Sequence, residues 1–206
     1  HLATNGLRTP KQYVLRDADP NTIQQLTSRL GDLLSPPYVL KPAAAGQRSQ
    51  VYLAHTVTEV PRLAALIFAE YDQVMIEEYI DGQALTMALI PELRGEALYA
   101  TPLQAWQHNF ADDHQLALDE TISSPAIAKQ DKHLCTELVR SAYRTLGLSG
   151  AVRFDMQLSP EGTLYILEAN PVSPLIESSV LSQLLDTVGI QTDEFIQHQI
   201  DHLSLL

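Results

Sequence analysis

The stretch AVRFDMQLSPEGTLYILEANP, residues 151–171, reads as two apolar strands around a turn, with Arg153, Asp155, Glu168 and Asn170 set inside those strands. Ser159-Pro160-Glu161-Gly162 is turn chemistry, so residues 151–158 and 163–170 are expected to pair antiparallel. Side chains alternate along a strand. Pairing Leu158 with Thr163 puts Val152, Phe154 and Met156 on the face of Tyr165, Leu167 and Ala169. The other face then gathers Arg153, Asp155, Glu168 and Asn170, with Arg153 across from Glu168 and with Leu164 and Ile166 beside them.

A solvent-facing strand surface with an ordinary cross-strand ion pair accounts for part of this pattern. Leu164 and Ile166 argue for cover on that face, and charges under cover need a compensating partner. Asp155, Glu168 and the Asn170 side-chain carbonyl offer only oxygen, the ligand chemistry of Mg2+, which commonly shares its shell with substrate phosphates. Arg153 beside them suits a phosphate oxygen through a charge-assisted bond. A metal together with a phosphate accounts for all four residues. An internal salt-bridge network in a structural domain without a ligand is the competing reading.

The 206 residues, 45% of them hydrophobic, can fill the core of one domain or of two small lobes. No segment approaches the roughly 18 consecutive apolar residues of a membrane helix, and HLATNGLRTP lacks the basic and apolar parts of a secretory leader. A cytoplasmic location without a membrane partner is therefore expected. The chain lacks an initiator Met and opens in mid-pattern, as a piece of a longer protein would. Thirteen Lys and Arg against 25 Asp and Glu give a formal charge of −12, which repels a nucleic-acid backbone, whereas one or two bases could still hold a small anion. Cys135 is the single cysteine, which excludes an internal disulfide. Its helical spacing with Leu138, Val139, Ala142 and Leu146 marks it as a small core residue rather than a nucleophile.

Outward from the hairpin the chain mixes strands and helices. Residues 13–16 read as a strand, and 20–34 as a helix opened by Asp19 and Pro20 and stopped by Pro36 and Pro37. PYVLKP, the loop AAAGQRSQ and VYLAH form a strand, a small-residue loop and an antiparallel return carrying Lys41. A helix over 56–72, a strand over 74–80, an Asp81-Gly82 turn and a strand over 84–90 follow. The spacing weakens after Pro91: 97–103 is strand-like, and the polar run QHNFADDHQLALDET, 107–121, reads as an ordered loop or a mobile flap. A helix over 127–146 ended by Gly147 precedes the hairpin, and helices over 175–187 and 192–204 follow it. The expected class is α+β, with two lobes of antiparallel strands and covering helices that meet near Gly82.

RFDMQLSPEGTLYILEANP, preceded by a helix and LGLSG, resembles the metal-binding hairpin of ATP-grasp enzymes, and most nearly the carboxy-terminal part of the D-alanine–D-alanine ligase family. LATNGLRTPKQYVL resembles the opening of that family's central lobe, PYVLKP with its loop the nucleotide-binding hairpin, and VMIEEYIDG the hinge strand beside the adenine. The resemblance covers nearly the whole chain and implies the ATP-grasp fold: a central, nucleotide-binding lobe over 1–82, a metal and substrate lobe over 83–206, and a nucleotide cleft between them. The family's amino-terminal lobe has no counterpart in these residues, which leaves room for a missing lobe or a partner subunit.

The resemblance implies that Lys41 contacts ATP phosphates, Glu77 lies by the adenine, Arg153 contacts the transferring phosphate, and Asp155, Glu168 and Asn170 hold Mg2+, or Mn2+ in its place. Ser179 would meet the substrate carboxylate. Read without it, Lys41 is a solvated strand end, Glu77 a surface carboxylate and Ser179 a helix cap. The family's Gly-Ser-Ser-x-Gly phosphate loop falls on Gly46-Gln47-Arg48-Ser49-Gln50, where a glutamine replaces the second glycine that would let backbone N–H groups approach phosphate. Arg48 offers a guanidinium there as compensation, or is plainly exposed. The carboxylate for the ribose hydroxyls falls at Ala84, the flap lysine near Gln115, and the glycine after the metal hairpin at Pro174.

The activity implied is an ATP-dependent ligase that joins a small-molecule carboxylate and an amine, from amino acids or peptides, through an acyl phosphate. The altered positions raise the alternative of a degenerate, non-catalytic ATP-grasp module that binds nucleotide or serves as a scaffold in a larger protein. Asp155→Asn is expected to abolish Mg2+-dependent nucleotide binding with little loss of folding.

Overall fold

The computed structural model describes residues 6–43, 50–110, 115–171 and 173–203. They group into two compact units, one built from Pro10–Ile80 with His108–Leu118, the other from Asp81–Gln107 and Asp119–Leu206 with the described part of His1–Thr9.

The first unit carries an antiparallel sheet in the order β1-β4-β2-β3, from β1 (Gln12–Leu15), β2 (Tyr38–Pro42), β3 (Tyr52–Ala54) and β4 (Val74–Glu78). Helix α1 (Pro20–Leu33) starts where Asp19 accepts a hydrogen bond from the Thr22 N–H and Pro20 supplies a preset φ at the first helical position. Its Ile23, Leu26 and Leu30 recur at helical spacing and bury against Val60, Leu63 and Ile67 of α2 (Val60–Phe68), with Leu40 and Ile76 of the sheet in the same core. The helix expected over 56–72 is thus shorter, because residues 57–59 form a 3-10 turn under a Thr56–Glu59 capping box.

The second sheet comprises β5 (Gln83–Pro91), β6 (Leu98–Ala100), β7 (Gln104–Phe110), β8 (Leu116–Ser123), β9 (Val152–Leu158) and β10 (Leu164–Asn170), ordered β10-β9-β5-β7-β8 with β6 also on β5. The run expected as a loop or flap over 107–121 therefore supplies parts of two paired strands, β7 and β8. Backbone pairing needs no apolar alternation, so a polar strand leaves little trace in the hydrophobic pattern.

Helix α3 (Lys129–Thr145) covers one face of this sheet, where Cys135, Val139 and Ala142 pack with Leu85, Met87, Leu89, Val152, Phe154 and Met156. On the other face, α4 (Val180–Asp186) and α5 (Thr192–Leu203) form a second core in which Leu181, Leu184 and Phe195 meet Ala88 and Ile90. The helix expected from 175 begins only at Val180, after the Ser179 cap. No helix among the described residues is long and apolar enough to cross a membrane.

Strands β9 and β10 do form the expected hairpin, but in a different register. Leu164 pairs with Leu158 and Ile166 with Met156; then the register shifts, so that Glu168 lies across from Asp155 and Asn170 from Arg153. The expected pairs Leu158–Thr163 and Arg153–Glu168 do not occur. The shift is a β-bulge that takes up Leu167 as an extra residue. An uninterrupted strand would put Leu164, Ile166, Glu168 and Asn170 on one face; the bulge breaks that linkage. Leu164 and Ile166 join the α3 core, while Glu168 and Asn170 stay on the face of Arg153 and Asp155.

Candidate functional site

Strand β9 places Arg153, Asp155 and Gln157 on one face by simple alternation, and β5 pairs beside them with Ala88 opposite Arg153, Thr86 opposite Asp155 and Ala84 opposite Gln157. On the neighbouring strand Ala88 and Thr86 are fully buried and Ala84 nearly so. Asn170 and Glu168 of β10 complete the group from the other side.

The centre of the group is the Asp155 carboxylate, 2% exposed. Its Oδ2 accepts from Arg153 Nη2 at 3.0 Å and from Asn170 Nδ2 at 3.2 Å, and its Oδ1 from the Thr86 hydroxyl at 2.9 Å. Arg153 is itself 6% exposed, and its Nε–H is buried without a hydrogen-bond partner among the described residues. An ion pair this deep is held by hydrogen bonds to its remaining lone pairs, because desolvation otherwise outweighs the attraction. Cover on this face is real, as expected, but it does not come from Leu164 and Ile166.

These residues fit a hard dication shared with a phosphate. Glu168, part-buried across from Asp155, has no ion-pair partner among the described residues, and Asn170 donates through its amide nitrogen, which leaves its oxygen for a cation. No group of three or more His, Cys, Asp or Glu side chains among the described residues could hold a metal by itself. The Arg153 Nε–H, buried without a partner among the described residues, would gain one from a phosphate oxygen brought to it.

The other expected residues lie in different surroundings. Lys41 of β2 and Glu77 of β4 share a sheet face diagonally, since Val39 pairs with Glu77 and Lys41 with Met75, and their charges meet at 2.7 Å. Glu77 is buried rather than a surface carboxylate. Arg48 lies outside the described residues. Ser179 is buried and caps α4: its hydroxyl accepts from the Ser182 N–H at 3.2 Å and donates to the Pro174 carbonyl at 2.8 Å. Cys135 is buried in the α3 core, and burial, reinforced by the negative charge of Asp131, pushes its thiol up to about 11, the behaviour of a core residue and not of a nucleophile.

Two polar residues of this face escaped the reading of the sequence. Thr86 interrupts the apolar run ALTMALI, and that interruption was its signal. Gln157 gave none, because a polar residue two positions after Asp155 is what a half-exposed strand ordinarily carries.

Comparison with known proteins gives this geometry a family. The D-alanine–D-alanine ligase of Gloeobacter violaceus is 28% identical over 200 residues, covering 97% of this chain and 65% of that protein. The corresponding ligase of Francisella tularensis subsp. novicida is 25% identical, covering 82% of this chain and 56% of the relative. The chain thus spans less than two thirds of the length of these relatives. Among solved structures, the Bacillus anthracis D-alanine–D-alanine ligase matches over 99% of this chain and 65% of its own with a TM-score of 0.78 at 20% identity. The VanG D-Ala:D-Ser ligase of Enterococcus faecalis matches over 97% and 58% with a TM-score of 0.75 at 19% identity. The fold is therefore the α+β ATP-grasp fold of these ligases. Since the family model described as the D-ala D-ala ligase C-terminus matches residues 2–201, the chain belongs to that family.

Proposed function

We propose that this chain is the nucleotide- and metal-handling part of an ATP-dependent ligase that joins a carboxylate to an amine, both from amino acids or short peptides. The observation that carries the reading is the buried Arg153–Asp155–Asn170 group with an orphaned guanidinium N–H beside the uncommitted Glu168. Relatives named D-alanine–D-alanine ligase, and a neighbouring structure of the Bacillus anthracis enzyme complexed with ATP, support it. The unit of β1–β4 would serve as the nucleotide-binding lobe, with Lys41 and Arg48 toward phosphates and Glu77 toward the base. The unit of β5–β10 would serve as the metal and substrate lobe. A further lobe or a partner subunit would complete the pocket for the first substrate.

ATP supplies the phosphoryl group that turns the carboxylate into an acyl phosphate, from which the amine displaces phosphate to form the amide. The chain's own residues orient and neutralise. Asp155 already accepts from Thr86, Arg153 and Asn170, so a cation bound at this carboxylate would share it with those donors or take the place of one. Arg153 would be the donor to give way, because a bound phosphate would offer its guanidinium a replacement anion. Asp155, Glu168 and the Asn170 oxygen would then hold Mg2+.

The test is calorimetric titration of the 206-residue chain with ATP in Mg2+, followed by measurement of ADP release with pooled amino acids. Glu168→Gln is the variant of choice, because Glu168 stands outside the buried ion pair. It should weaken Mg2+-dependent nucleotide binding about tenfold or more while the thermal midpoint holds. Equal affinity in both proteins would refute the metal assignment. The closed hydrogen bonding of Ser179 favours a second reading, a module that binds nucleotide without turnover. Binding without ADP release selects it.

A further inference from the structure

Gln157 lies on the same face as Asp155, two positions along β9 and so roughly 7 Å away. It is 1% exposed, and neither its amide nitrogen nor its amide oxygen has a hydrogen-bond partner among the described residues. A buried amide left without partners is costly, and such groups are rare in folded proteins. The residues of that face nearest in register are Ala84 on β5 and Tyr165 on β10, and Ala84 contributes only a methyl group. A leucine or methionine at position 157 would fill the same volume with no unsatisfied atoms.

We infer that the Gln157 amide recognises the ribose hydroxyls of the bound nucleotide. The inference rests on the nucleotide reading above and adds the group that this residue reads. If Arg153 and Asp155 handle the phosphate end, the part of a nucleoside triphosphate that comes next along its length is the sugar. A ribose offers vicinal hydroxyls, each both donor and acceptor, and a carboxamide offers one acceptor and two donor hydrogens. The two patterns match. A hydrocarbon ligand would leave the amide unpaired, and a phosphate would use its nitrogen but not its oxygen.

The experiment is calorimetric titration of the 206-residue chain, in Mg2+, with ATP, 2′-deoxy-ATP, 3′-deoxy-ATP and GTP, repeated with Gln157→Met. The expected result is that the wild type binds ATP about five- to tenfold more tightly than at least one deoxy analogue. Gln157→Met should bind all three adenine nucleotides alike. Its nucleotide-free thermal midpoint should equal or exceed the wild-type value, because the substitution removes an unpaired amide from the interior; a merely structural glutamine would lower it. Binding of ATP without discrimination between ribose and deoxyribose overturns the inference and leaves the nucleotide reading in place. A preference for ATP over GTP that disappears in Gln157→Met, with no ribose preference, also overturns it by assigning the amide to the base. Absence of any ATP binding overturns the nucleotide reading and this inference with it.

Discussion

Arg153 and Asp155 show how a charge inside an apolar strand can be both legible and misread. Their presence in AVRFDMQL was visible because a guanidinium and a carboxylate do not belong in a core without a reason. Their dependence on each other was not, since a strand puts them two residues apart and the expected partner of Arg153 was Glu168. Asp155→Asn is therefore not the mild change that the sequence suggests. It leaves Arg153 buried with no counter-charge, and urea unfolding should show a loss of about 3 kcal/mol or more. The double variant Arg153→Met/Asp155→Leu, which removes both charges, should recover most of that loss. Cys135 was legible from helical spacing alone, and its thiol should be silent to disulfide reagents at pH 8 until the chain is unfolded. The sign of its pH effect follows. Unfolded, the thiol ionises near 8.5, roughly its unperturbed value; folded, it holds its proton up to about 11. Its contribution is complete below the first value and is lost as pH rises toward the second, so alkaline unfolding between them should be less steep in Cys135→Ala.

At the scale of elements, the hairpin turn, the first helix and its cap, and the α3 face were readable because each is encoded locally, in turn residues, a capping side chain or a repeat of apolar positions. The bulge at Leu167 and the β7–β8 pair were not, because both depend on which strand lies alongside. An extra residue in a strand preserves composition and shifts only phase, and phase is invisible until the partner is known. The Asp81-Gly82 turn shows how a locally readable glycine acquires a nonlocal reason. Gly82 sits at φ +134, and a Cβ there would fall 2.0 Å from the Leu158 carbonyl oxygen and 2.9 Å from Ser159 Cα. The end of β9 thus packs directly on the start of β5, where the chain enters the strand that carries Thr86. Gly82→Ala should lower stability by about 3 kcal/mol in a denaturant titration, through strained backbone and displacement of β9 together. A loss of less than half that size would mean that the turn can open without disturbing the sheet.

For the molecule as a whole, the charge of −12 constrains how an anionic nucleotide can be bound. Free ATP is itself highly anionic and is repelled by the summed field of the protein, while few bases stand ready to offset it. Under the proposed function the cation would do two things at once: it would reduce the ligand's charge before approach, and it would satisfy the acidic side of the Asp155 group after arrival. Binding to the folded state alone stabilises it by mass action, about 2.7 kcal/mol when the ligand stands at one hundred times its dissociation constant. For a chain of this size that corresponds to a rise in the thermal midpoint of roughly 5 to 10 °C. The expected pattern in a thermal-shift series is such a rise with ATP and Mg2+ together, a much smaller one with Mg2+ alone, and none with ATP and a chelator. Added salt should shrink the response only modestly, because the groups proposed to anchor the ligand are buried and weakly screened. A response to ATP that persists in the chelator would separate nucleotide binding from the metal and remove Asp155, Glu168 and Asn170 from the cation's shell.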